Sequence, residues 1–193
     1  MSATRTALKS GSADVIVADW MWVSRQRDMG DKLQVLPYSS SIGKVMLSKN
    51  SSIRTLEELR GKKIGIAGGP VSKGWLLLRA LGLKQGIDLK EVTEQQYAAP
   101  PLLNAALKKG RLDAVITFWH FAARLEGMGY PVLTDLKTVS KELGMNSDLP
   151  MLGYVFHQDW AEKNPQLVSA LRTASAQSKH YLQGSDSAWN SLR

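Results

Sequence analysis

The chain has 193 residues, 44% of them apolar and 22% charged, which provides for a hydrophobic core and excludes wholesale disorder. Lys and Arg number 25 against 17 Asp and Glu, a formal charge of +8, but the basic residues are scattered singly over predicted helix surfaces with no basic–aromatic track, so nucleic acid is not an expected partner. Zero cysteine excludes disulfides, thiolate nucleophiles and thiolate-ligated metals, and no stretch reaches the roughly 20 apolar residues of a membrane span.

The opening Met1-Ser2-Ala3-Thr4-Arg5 lacks the apolar run of a secretory leader, so the chain is expected either to be cytosolic or to have its leader missing. Apolar periodicity then predicts a helix over 2–10, a strand over 14–18, a helix over 20–29 and strands over 33–38 and 43–48. A capping segment over 52–59 leads to strand 63–67, helix 72–84 and strand 91–96. Helix 100–109, strand 112–117, helix 119–128, strand 131–134 and a short helix over 136–143 follow. Strand 151–156 and helices near 158–162, 165–183 and 185–192 complete the pattern. Strands alternating with helices predict an α/β fold with parallel sheets joined by right-handed crossovers, in two sheets rather than one.

An internal echo is the most informative feature. Ala7-Leu8-Lys9-Ser10-Gly11-Ser12-Ala13-Asp14-Val15-Ile16-Val17-Ala18-Asp19-Trp20 reads against Ala106-Leu107-Lys108-Lys109-Gly110-Arg111-Leu112-Asp113-Ala114-Val115-Ile116-Thr117-Phe118-Trp119. Each copy ends a helix at a glycine suited to the left-handed position, passes an Asp, runs through a buried strand and reaches a Trp where the next helix begins. The competing reading is the ordinary helix–Gly–strand grammar of α/β proteins. Two extended links, 37–43 and 148–154, bracket the segment that holds the second copy. They predict one lobe over 44–149 and a discontinuous one over 1–42 plus 151–193, with a hinge near 38–43 and 149–153; the alternative is a pair of surface loops on one sheet.

Candidate chemistry gathers at strand ends. After strand 63–67, Gly68-Gly69-Pro70-Val71-Ser72 opens a helix; glycine permits close approach, Ser72 is placed to cap, and a helix start attracts anions. The glycine spacing fits neither phosphate-loop nor dinucleotide fingerprints, and a plain strand-to-helix turn is the alternative. Ala18, Asp19 and Trp20 end one strand, while Phe118, Trp119 and His120 end another; two aromatic walls suit a small ligand with a flat or apolar part. Trp22 and Trp75 are expected in the core. His120, His157 and His180 have no metal-ligand spacing, no GxSxG elbow is present, and Asp14, Asp19 and Asp113 do not make a carboxylate pair. No catalytic set, metal or cofactor is expected.

The passages "ALKSGSADVIVADW", "VMLSKNSSIRTLEELRGKKIGIAGGP", "LLNAALKKGRLDAVITFWHFAARLE" and "GYVFHQDWAEKNPQLVSALRTAS" resemble the type II periplasmic solute-binding proteins of ABC importers, in the branch that handles sulfonates, nitrate, taurine and thiamine-pyrimidine precursors. The most specific stretch is Ser52-Ile53-Arg54-Thr55-Leu56-Glu57-Glu58-Leu59-Arg60-Gly61-Lys62-Lys63-Ile64-Gly65, which is similar to the family's entry into the second lobe. The resemblance implies a two-lobed α/β clamshell with parallel or mixed sheets that captures a small anionic or polar organic molecule between its lobes and delivers it to a membrane permease. It also implies a periplasmic or other extracytoplasmic location and no enzymatic activity. Residue by residue it implies ligand contacts at Asp19 and Trp20 in the first lobe, Ser40 and Ser41 near the hinge, Gly69, Pro70 and Ser72 at a helix start, and Trp119 with His120 as the second wall. Against the family pattern the chain opens inside a helix and stops while helices are still running, so a truncated first lobe is expected, with bare sheet edges that invite a homodimer. The alternatives are a biosynthetic enzyme on this scaffold, of the pyrimidine- or porphyrin-precursor type, and the ligand-sensing domain of a transcriptional regulator.

Overall fold

A computed structural model describes residues 3–146 and 149–191. The first residue of the expected helix 2–10, Asp148 in the second link and the end of helix 185–192 lie outside the described residues. In chain order the elements are α1 (Ala3–Lys9), β1 (Ile16–Asp19), α2 (Trp20–Asp28), β2 (Leu33–Ser39), β3 (Gly43–Leu47), a 3-10 turn (Glu57–Leu59) and β4 (Lys63–Ala67). Then come α3 (Lys73–Lys84), α4 (Leu89–Val92), β5 (Glu94–Ala98), α5 (Pro100–Lys108), β6 (Ala114–Phe118), α6 (Trp119–Gly127) and β7 (Val132–Asp135). The remainder is α7 (Leu136–Glu142), β8 (Leu152–His157), α8 (Gln158–Lys163), α9 (Pro165–Gln183) and α10 (Asp186–Asn190). The chain divides into two compact units, Met1–Ser39 with Pro150–Arg193, and Ser40–Leu149.

The smaller, discontinuous unit holds a three-stranded sheet in the order β1-β8-β2, with β8 antiparallel to both neighbours. The parallel pairing expected from strand–helix alternation does not occur between neighbours here, and the pairing falls within the parallel or mixed sheets that the resemblance implies. β1 and β2, linked through α2, do run in the same direction, but β8 lies between them in the opposite sense, so that Val155 faces Ile16 on one side and Val35 on the other. Burial alternates along β1, with Ile16 and Ala18 buried and Val17 exposed, as a strand with one face on a core requires. That core unites Leu8 of α1, Ile16, Trp22 and Val23 of α2, Leu33 and Val155.

The larger unit carries a five-stranded sheet in the order β5-β4-β6-β3-β7. β4 is parallel to β5 and β6, and β3 is antiparallel to β6 and β7. Ile64–Ala67 and Ala114–Thr117 are buried without interruption, the signature of strands covered on both faces. A Cβ on Gly65 would meet Leu103, Leu112 and Val115, whereas one on Gly74 would meet Ile116 and Leu136. Helices α5 and α6 therefore cover one face of the sheet, through Leu103, Leu107, Ala122 and Leu125, while α3 and α7 cover the other. Within the expected capping segment over 52–59, Thr55 and Glu58 pair reciprocally: Thr55 Oγ1 accepts the Glu58 amide at 3.4 Å and Glu58 Oε2 accepts the Thr55 amide at 3.3 Å.

Candidate functional site

In the larger unit β4, β5, β6 and β7 run one way, so their carboxyl ends share one edge of the sheet. β3 runs the other way and brings its amino end to that edge, pairing Gly43 with Phe118 and Lys44 with Asp135. Open α/β sheets take their ligands at such an edge. Ser40 and Ser41 lead into β3 there, Gly69, Pro70 and Ser72 belong to the β4–α3 loop, and Trp119 and His120 open α6. The loop lies next to the end of β6: a Cβ on Gly68 would sit 3.1 Å from Ser72 Cβ and 3.6 Å from Phe118 Cζ. On the other flank a Cβ on Gly43 would lie 2.1 Å from the Thr117 carbonyl oxygen, so only glycine lets β3 close on β6 at this point.

Ser72 occupies the N-cap position of α3, yet its side chain makes no capping hydrogen bond. The sequence expectation of a capping serine is thus corrected: its hydroxyl is buried without a partner among the described residues, beside a helix start whose first amides have no intrahelical acceptor. Neither α5, preceded by Ala99, nor α6, preceded by Phe118, is capped by a side chain. In contrast α2, α4 and α7 are capped by Asp19, Asp88 and Asp135. The starts of α3, α5 and α6 at this edge therefore keep their positive dipole ends without a side-chain cap, whereas that of α7 is met by Asp135. Lys44, which also lies at this edge, is committed to Glu126 at 2.8 Å and Asp135 at 3.9 Å. The groups at this edge that are left open are helix-start amides, a hydroxyl and rings rather than that ammonium.

The apolar part of the edge comes from β6 and α6. Trp119 is 52% exposed and Phe118 41%, and the His120 ring lies 5.2 Å from Trp119 and 4.5 Å from Phe121, centroid to centroid. Partial burial among these rings pushes the His120 pKa below its ordinary value, and the Arg124 guanidinium adds to the shift. Phe118, which the sequence reading places at the strand end beside Trp119 and His120 but not among the ligand contacts, stands at this edge as well; the signal that could have singled it out is the mismatch of Asp19 and Phe118 in the internal echo.

Asp19 and Trp20 belong to the smaller unit, at the carboxyl end of β1. Both oxygens of Asp19 are engaged there: Oδ1 accepts the Trp22 amide at 2.8 Å and Oδ2 accepts from Arg5 at 2.8 Å. The Trp20 indole N–H is buried and has no acceptor among the described residues. Trp22 and Trp75 are buried as expected, at 8% and 1% exposure. Among the described residues no group of His, Asp and Glu is gathered to hold a metal ion, and no helix is long and apolar enough to cross a membrane.

Comparison with known proteins bears on the fold and the family. An aliphatic sulfonates-binding protein of Escherichia coli (strain K12) is 30% identical over 131 residues, 66% of this chain and 37% of that protein. The crystal structure of the periplasmic aliphatic sulphonate binding protein SsuA from Escherichia coli matches with a TM-score of 0.67 at 24% identity, covering 90% of this chain and 57% of that one. The alkanesulfonate-binding protein SsuA from Xanthomonas axonopodis pv. citri, bound to MOPS, matches with a TM-score of 0.67 at 21% identity over 89% of this chain and 57% of its own. The chain spans 37% to 57% of the length of these relatives. At such identities the solved structures establish the fold, that of the periplasmic solute-binding proteins with mixed sheets. The NMT1/THI5-like family model matches residues 1–185 and so runs through both units; the chain belongs to the NMT1/THI5-like family.

Proposed function

We propose that the chain serves as the ligand-binding part of the solute-binding component of an ABC importer, working outside the cytoplasm and passing a small organic anion to a membrane permease. The anionic end is held at the carboxyl edge of the larger unit's sheet by the Ser72 hydroxyl and the start of α3, with Gly69 and Pro70 shaping the loop and Ser40 and Ser41 on the β3 flank. Trp119 and His120 provide the wall for the rest of the molecule. In the smaller unit, taken by itself, the Trp20 indole N–H is a further free donor for a ligand, on a helix that Asp19 caps. The observation that carries this reading is a buried hydroxyl without a partner among the described residues, beside side-chain-uncapped helix starts and exposed aromatic rings. A protein that binds without reacting needs no more than this, and the sulfonate-binding names of the relatives point to the same ligand chemistry.

Calorimetric titration with alkanesulfonates tests it. Saturable one-to-one binding without turnover is expected, and Trp119→Ala should weaken it by about 1–3 kcal/mol, as truncation of an aromatic anchor does. Ser72→Ala should weaken it by about 1–2 kcal/mol, the worth of a hydrogen bond to a charged group. Binding that is absent, or indifferent to both substitutions, would remove this edge as the site.

A further inference from the structure

We infer that Phe118 is the specificity-determining contact for the organic part of the ligand, and that the joint between β6 and α6 sacrifices stability to present it; the inference rests on the function proposed above. In the register that sets Ala7 against Ala106 and Trp20 against Trp119, Asp19 stands against Phe118, Arg5 against Asn104 and Ala18 against Thr117. The two joints share a backbone: the glycines that end the preceding helices have φ of 72° and 66°, and Asp19 and Phe118 have φ, ψ of −87°, 148° and −72°, 154°.

What differs is the chemistry on that backbone. In the first joint the helix start is satisfied, since Asp19 caps α2 through the Trp22 amide and pairs with Arg5, whose guanidinium also lies 4.9 Å from the centroid of the Trp22 ring; the Trp20 indole N–H is the one buried side-chain polar atom there without a partner among the described residues. In the second joint a phenyl ring stands where the carboxylate would be, and α6 starts without a side-chain cap. Asn104, in the place of Arg5, donates to the Phe121 carbonyl at 3.2 Å and keeps its Oδ1 buried and unpartnered among the described residues. Thr117, in the place of Ala18, is 1% exposed with its hydroxyl equally unpartnered. A lost cap, two orphaned buried polar atoms and a ring 41% exposed are each unfavourable for folding. A helix cap and its supporting pair kept at one joint, and given up together at its twin, mark a place shaped for function. The position fits: the ring tip neighbours Gly68, which in turn neighbours Ser72, so an anion held at the Ser72 hydroxyl lays its carbon skeleton along Phe118.

The test separates stability from affinity in the intact chain. Phe118→Asp transplants the cap of the first joint, Phe118→Ser supplies a neutral cap, and Phe118→Leu keeps an apolar side chain. Melting temperature is measured without ligand, and affinity for octanesulfonate and for inorganic sulfate by calorimetry. The Asp and Ser variants should melt at or above the parent, by about 2–4 °C where the cap forms. The Ser variant should lose about tenfold or more in octanesulfonate affinity, with sulfate changed by less than about twofold and the Leu variant in between. A parent that binds octanesulfonate while the Ser variant binds it equally well overturns this inference alone. A lower melting temperature in both cap-forming variants does so too, because the ring would then serve packing. A parent that binds neither probe overturns the function on which the inference rests, and the inference with it.

Discussion

In the proposed site His120 would meet opposite demands in the free and the liganded protein. Without ligand, burial among the rings and the nearby Arg124 charge disfavour its imidazolium, so the folded pKa lies below the ordinary 6.5. As the pH falls below that value the unfolded chain takes up the proton first, and folding stability declines through the window between the two pKa values; above it the group contributes no such slope. An anion beside His120 reverses the sign, raising the pKa and making binding tighter at lower pH. The ring proton resonances of His120, followed by NMR from about pH 8 to about pH 5, should titrate below the ordinary value in the free protein and above it with octanesulfonate bound. An unmoved midpoint would place the ligand's charge away from His120. Legibility from sequence also varied at this scale. The burial of Trp22 and Trp75 followed from their helical positions, whereas the engagement of both Asp19 oxygens depends on Arg5, brought across from a separate helix.

Most elements could be read from periodicity because their burial is simple. β4 and β6 are short apolar runs inside a sheet covered on both faces, and each stands within two residues of its expected span. β5 was displaced: the expected strand over 91–96 is Glu94–Ala98, because Asp88 caps the short α4 through the Lys90 amide and the strand itself is a polar edge, Glu94-Gln95-Gln96-Tyr97-Ala98. Antiparallel β8 was beyond reach, since pairing direction depends on where a strand returns and leaves no mark on its own residues. The close approach of β3 to β6 was equally silent. Gly43, with φ of 148° and the Thr117 carbonyl 2.1 Å from any Cβ it could carry, fixes that register. Gly43→Ala should cost about 2–4 kcal/mol in urea denaturation, from a strained backbone and a backbone clash together. A cost below about 0.5 kcal/mol, typical of an unconstrained surface site, would mean that β3 does not seat on β6 in this way.

At the scale of the whole molecule the two units depend on the chain in different ways. The larger is continuous, from Ser40 to Leu149, and all five strands of its sheet lie within that span. The smaller is assembled from two separate segments of the chain, and of its three described strands the central one comes last in sequence: among the described residues β8 supplies the ladder partners of both β1 and β2, which do not pair with each other. A chain ending at Leu149 therefore leaves β1 and β2 with bare backbone groups on either side of a missing strand, and their core loses Val155. A two-stranded remnant without pairing cannot offset its conformational entropy. Hydrogen exchange on such a truncated protein should show protection lost throughout residues 3–39 and kept in β4 and β6 of the larger unit. Persistent protection in β1 and β2 would mean that the smaller unit has a source of order other than β8, whereas loss in β4 and β6 as well would mean that the larger unit does not fold without the smaller one.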